Sequence, residues 1–265
     1  MFYKALRMIS KIVVAALLSM LCVPAVSQEL TIAAAADLRP ALEEISTQFQ
    51  AESGARVRPI YGSSGSFYQQ IQNGAPFDLF LSANAEYPKK LEAAGLTIPG
   101  TYYEYARGKI VLLAPADSKL PLADGLKVLL DPAVKKIAIA DPSHAPYGQA
   151  AVAALKAEHL YDAVAGKIVS AENISQAASF VLSGAADVGI VALSLAMSPQ
   201  GSSKLRYAGI PAEDYPAIQQ ACLILRSSKN QALAARFEEF LRGEAAKAVF
   251  SRFGFEVPSS AQPKK

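Results

Sequence analysis

Short apolar runs alternate with helical hydrophobic patterns almost from end to end of the 265 residues, and few architectures accommodate that rhythm. Apolar runs of strand length joined through amphipathic helices make an α/β fold with mostly parallel sheet. Leu30 to Ala36 reads as the first strand. Leu38, Leu42, Ile45 and Phe49 then recur at helical spacing until Gly54 stops the helix. Val57 to Tyr61 and Phe77 to Ala83 are further strands, with a short helix through Ile71 between them and another over Tyr87 to Ala94. Ile110 to Ala114, Lys136 to Ala140, Ile168-Val169, Val188 to Leu193 and Gln219 to Leu225 continue the series. Helices are expected after Pro146, over Ile174 to Leu182, over Gln231 to Leu241 and over Ala245 to Phe250.

The first residues read as an export signal. Lys4, Arg7 and Lys11 lead into a nearly unbroken apolar run, Ile12 to Val23, and Pro24 with Ala25-Val26-Ser27 supplies the small residues a signal peptidase reads. The run is shorter than the roughly 20 residues a bilayer span needs. Residues 1–27 are therefore expected to be a cleaved signal peptide and the remainder a soluble periplasmic protein. The charge balance then changes meaning: Lys and Arg total 26 against 23 Asp and Glu, but residues 1–27 hold three of the basic residues and none of the acidic ones. What remains is near neutral, without a Lys/Arg cluster, and no nucleic-acid partner is expected. Cys22 leaves with the signal, and Cys222 stands in an apolar run where a buried small hydrophobe is the expected role. The tail at 259–265 reads as disordered.

No catalytic or metal-ligating set assembles: there is no Gly-x-Ser-x-Gly elbow, no phosphate loop, and no His/Cys/Asp/Glu grouping at ligand spacing. What recurs is a strand-to-helix junction built of small or hydroxylated residues. The four examples are Ala33 to Leu38, Gly62-Ser63-Ser64-Gly65-Ser66, Asp141 to Gly148, and Ala171-Glu172-Asn173-Ile174. Helix N-termini leave backbone N–H groups unpaired and their dipoles favour an anion. Each charge-assisted bond is worth about 1.5–3 kcal/mol, so several converging in a cleft would hold a dianion without Arg or Lys. Ser63, Ser64 and Asp37 are also ordinary helix caps, and the residues by themselves leave both readings open.

In order and spacing these junctions, together with Gly74-Ala75-Pro76-Phe77-Asp78-Leu79-Phe80-Leu81-Ser82-Ala83, Ile137 to Pro142, Gly189-Ile190-Val191 and Phe250 to Phe255, resemble the periplasmic molybdate-binding proteins of ABC transport systems. The resemblance covers essentially everything after the signal. It implies a two-lobe periplasmic binding protein fold (type II), each lobe a mixed, mostly parallel sheet flanked by helices, with a two-stranded hinge. Lobe I would be 28–108 plus 221–258 and lobe II 109–220. It further implies a monomer without catalysis and without metal or organic cofactor, which takes molybdate or tungstate and delivers it to a membrane permease. The family's binding positions fall on Ala36 and Asp37 in the first junction, Ser64 in the second, Tyr147 in the third, and Ile174, through its backbone, in the fourth.

Two positions depart from the family pattern. Asp37 stands where many members have Ser or Asn, and its carboxylate would repel a dianion unless it turns away to cap the helix near Leu38 and offers only its backbone N–H. It is also compatible with another ligand or a partner cation. Ala192 replaces a Tyr that some members use, and Tyr147 is expected to supply a phenol from the opposite side. Two alternatives stay open: another small oxyanion such as sulfate or phosphate, or a secreted hydrolase with Ser64 as nucleophile and His144 or His159 as base.

Overall fold

The computed structural model describes residues 29–258, so the signal segment read over 1–27 and the tail at 259–265 lie outside the described residues. In chain order the strands are β1 (Glu29–Ala35), β2 (Arg56–Gly62), β3 (Leu79–Ser82), β4 (Tyr103–Gly108), β5 (Ile110–Pro115), β6 (Ile137–Ala140), β7 (Ile168–Ala171), β8 (Val188–Ala192), β9 (Leu205–Gly209) and β10 (Ile218–Ile224). The helices are α1 (Arg39–Ser53), α2 (Ser64–Gln72), α3 (Glu86–Ala93), α4 (Pro146–Ala157), α5 (Tyr161–Val164), α6 (Ile174–Leu182), α7 (Leu193–Ala196), α8 (Pro199–Lys204), α9 (Gln231–Arg242) and α10 (Glu244–Arg252).

Two five-stranded sheets organise these elements, in the orders β2-β1-β3-β10-β4 and β7-β6-β8-β5-β9. In each, four strands run the same way and one, β10 or β5, lies reversed between two of them. This is the α/β architecture expected from the alternation, in the two-lobe form that the family resemblance implied. Side chains alternate across each strand, and both faces are covered. In β1, Leu30, Ile32 and Ala34 belong to the main core, while Ala33 faces a second cluster with Phe67, Phe80 and Leu223. Cys222 and Ile224 of β10 join the first cluster and Leu223 the second by the same alternation. Cys222 is fully buried as a free thiol. Among the described residues no helix is long and apolar enough to cross a membrane.

The chain passes between sheets at Lys109, joining β4 to β5, and returns at Pro216–Ala217, just before β10. The two crossings are adjacent because Ile218 pairs with Gly108. Ile218–Gln220 thus belong to the first sheet, which moves the lobe boundary read at 220/221 back by three residues. The strand read over Gln219 to Leu225 thus starts one residue earlier, at Ile218, and its polar Gln220 is fully buried. Strands β4 and β9 were not read from the sequence either. Each is an edge strand of its sheet, half-covered and without a continuous apolar run.

Candidate functional site

Parallel pairing fixes where the four junctions lie. Ala35 is level with Gly62 at the C-terminal ends of β1 and β2, and Ala140 is level with Ala171 at the ends of β6 and β7. Two junctions therefore sit side by side on each lobe, at the strand ends where ligands of parallel sheets collect. Ala36, Asp37, Ser64, Tyr147 and Ile174 all line one cavity between the lobes, with Ala35, Gly62, Ser63, Ala83, Ala145 and Pro146 completing its wall. Each of the five is at most 3% exposed. The cavity is small, with about 10 Å³ open to the centre of a water-sized sphere.

Local capping aims these residues. Ser63 is the N-cap of α2 and accepts from the Ser66 N–H at 3.3 Å, which leaves Ser64 for the cavity. Ser64 Oγ accepts the Ala83 amide at 2.9 Å, so its own hydroxyl proton remains a donor. On the opposite lobe Asn173 caps α6 by accepting from the Gln176 N–H at 3.1 Å, and Gln176 Oε1 accepts from the Glu172 N–H at 2.7 Å. This reciprocal cap holds Ile174 at the first helical position, where the helix itself gives the backbone N–H no partner. Pro146 and Tyr147 open α4 without a side-chain cap, proline being suited to a first helical position that needs no N–H.

The Asp37 carboxylate does not cap α1: no side chain caps that helix or the 3₁₀ turn before it. Its Oδ2 accepts from the Tyr147 hydroxyl at 2.9 Å and from Gln220 Nε2. Gln220 Oε1 in turn accepts from the Tyr105 hydroxyl at 2.9 Å. The only phenolic proton of Tyr147 therefore goes to Asp37 and not to the cavity, which corrects the role expected for that phenol. Tyr147 reaches the site through the first turn of α4. Burial pushes the Asp37 carboxyl up to about 6, against the pull of its bonds from Gln220 and Tyr147 and of the nearby backbone N–H groups of Asp37 and Leu38, neither of which reaches hydrogen-bond geometry with Oδ1. Tyr105 and Tyr147 are pushed well above the usual phenol range, by burial first and the Asp37 charge second. Asp37 Oδ1 is buried without a hydrogen-bond partner, and among the described residues no partner cation accompanies it.

Further bonds join the lobes around this centre. Ser194 Oγ donates to the Asp37 carbonyl at 2.7 Å, and Ser175 Oγ to the Ala36 carbonyl at 2.8 Å. The Gly65 N–H donates to the His144 carbonyl at 2.9 Å, and Ser63 Oγ and His144 Nδ1 are hydrogen-bonded at 2.8 Å. Sequence reasoning missed Gln220, Tyr105, Ser175 and Ser194. The one available signal was a glutamine beside the apolar run that follows it.

His144 thus faces Ser63 and not Ser64. Ser63 Oγ is already engaged as a cap, and Asp141 stands 3.7 Å from the other His144 nitrogen, beyond hydrogen-bond reach. His159 lies past the far end of α4 with φ of 56°. Among the described residues no cluster of His, Cys, Asp or Glu is arranged to hold a metal ion.

Residues 30–256 match a family described as bacterial extracellular solute-binding protein. The molybdate-binding protein ModA of Azotobacter vinelandii is 36% identical over 247 residues, which cover 93% of this chain and 97% of that protein. ModA of Rhodobacter capsulatus is 35% identical over 240 residues, covering 91% and 93%. The solved structure of the Azotobacter vinelandii periplasmic molybdate-binding protein aligns with a TM-score of 0.82 at 35% identity, over 87% of this chain and 100% of that one.

Proposed function

This chain belongs to the bacterial extracellular solute-binding proteins, and we propose that it captures molybdate, with tungstate, in the periplasm and delivers it to the membrane permease of an ABC-type transporter. The observation that carries this reading is the convergence of four strand-to-helix junctions, two from each lobe, on one small cavity without a Lys or Arg side chain. Near-full-length identity to molybdate-binding proteins supports it. A fully deprotonated oxyanion needs donors only, and neutral hydroxyl and first-turn N–H groups supply them. Size then separates ligands of like charge and shape, because molybdate has longer metal–oxygen bonds than sulfate has sulfur–oxygen bonds. In this account the oxyanion is cargo, the protein performs no chemistry on it, and no further cofactor takes part.

Closure has an energetic role. Bonds such as Tyr147 to Asp37 and Ser175 to Ala36 form only when the lobes meet, so a ligand that bridges the lobes shifts the population toward the closed form. That form is what the permease would read. Native mass spectrometry of the purified protein after incubation with molybdate tests the proposal. The expected result is one molybdate per chain, and a chain that emerges without it contradicts the proposal.

A further inference from the structure

We propose that Asp37 enters the anion-loaded form as a neutral carboxylic acid, its Oδ1 proton donated to an oxygen of the bound oxyanion, so that capture of each dianion takes up one proton from solvent. The inference rests on reading the cavity as an oxyanion site. The two carboxylate oxygens are differently placed. Oδ2 accepts from Tyr147 of α4 and from Gln220 of β10, as the carbonyl oxygen of an acid does. Oδ1 is buried with no partner at all, on a residue that lines the cavity and is fully buried. A buried acceptor without a donor is costly, and beside an anion it is opposed by like charge as well. A proton on Oδ1 removes both penalties at once, because it converts the orphan acceptor into a donor pointed at a ligand that can only accept.

The surroundings favour the acid form. The titratable groups that face Asp37 are Tyr147 from α4 and Tyr105 from β4, both neutral, and Ser194 of α7 bonds only its carbonyl. No Lys, Arg or His is among its partners in the described residues. Burial already lifts the carboxyl to about 6, and an anion alongside lifts it further. Above that pH the free protein holds Asp37 ionised and must acquire the proton on binding. An oxyanion that keeps a proton of its own, such as hydrogen phosphate, would donate to the ionised carboxylate instead and require no uptake.

The test is calorimetric titration of molybdate into the wild-type protein and the Asp37→Asn variant, in buffers of different ionisation heat, between about pH 6.5 and 8.5. The wild type should take up about one proton per molybdate near pH 8, with affinity falling about tenfold per pH unit above 6. Asp37→Asn, whose amide donates without titrating, should take up none and bind with flat affinity, tighter than the wild type at pH 8. A wild type that binds molybdate with flat affinity and no proton uptake overturns this inference and leaves the oxyanion reading standing. Uptake by Asp37→Asn equal to the wild type's also overturns it. Failure of both proteins to bind molybdate at any pH refutes the oxyanion reading and the inference together. Tyr147→Phe is the second variant. Loss of a donor to Oδ2 should move the fall in affinity to higher pH, and an unmoved profile counts against Asp37 as the titrating group.

Discussion

The Gly65 amide donates across the cleft to the His144 carbonyl at 2.9 Å, and this contact leaves no room for a side chain. A Cβ on Gly65 would lie 2.5 Å from that oxygen and 2.9 Å from His144 Cα. Gly65 sits inside α2, so the glycine is required by the opposite lobe and not by its own backbone.

Gly65→Ala should therefore separate stability from binding. Alanine favours a helix over glycine by about 1 kcal/mol, so the melting temperature of the ligand-free protein should hold or rise. The lobes, however, cannot reach this closure, and molybdate affinity should fall at least about tenfold, or about 1.4 kcal/mol. Calorimetry and a thermal melt read the two effects. Wild-type affinity in this variant would mean that ligand is not held in this closed arrangement.

Ser64→Ala should cost both affinity and stability. The hydroxyl donor is lost from the cavity, and the buried Ala83 amide loses its acceptor. An unpaired buried donor costs about 1–3 kcal/mol, which for a chain of this size lowers the melting temperature by about 2–4 °C per kcal/mol. A variant with full stability would show that the Ala83 amide finds another acceptor.

Gly108→Ala tests the hinge. A Cβ there would lie 2.0 Å from the Tyr147 hydroxyl, so the phenol must leave Asp37. Secondary structure by circular dichroism should be unchanged, while molybdate affinity falls about tenfold or more with the loss of a buried hydrogen bond made across the lobes. Unchanged affinity would show that the Tyr147–Asp37 bond does not contribute to closure.

Asp37 gives the closed form a defined pH response. Its folded-state pKa of about 6 lies above the ordinary 3.8, so the folded state holds the proton more tightly than the unfolded chain. The stability this contributes is whole below about pH 4 and is lost as pH rises through 6. The melting-temperature difference between Asp37→Asn and the wild type should therefore move in favour of the variant from pH 4 to pH 7. A difference that stays constant over that range contradicts the shift.

What the sequence made legible follows from range. Ser63, Ser64 and Asn173 announce themselves because a hydroxyl or amide directly after an apolar run is a local signal, and capping is a local interaction. Gln220 and Ser194 act on Asp37 from 183 and 157 residues away, and no local pattern encodes such a partner. The same limit explains Asp37. Its departure from the family pattern was visible, but a side chain directed back toward α1 and one directed to Tyr147 look alike until the lobes are placed together. Strands buried on both faces were read from their apolar runs, whereas edge strands such as Leu205–Gly209 need only one covered face and carry a weaker pattern.

The central claim is best tested by calorimetric titration of the chain lacking residues 1–27 with molybdate, tungstate, sulfate and phosphate in turn, at about pH 6.5. Molybdate and tungstate should each bind one-to-one, and sulfate should give no response. Binding of sulfate or phosphate in their place, or of none of the four, would contradict it.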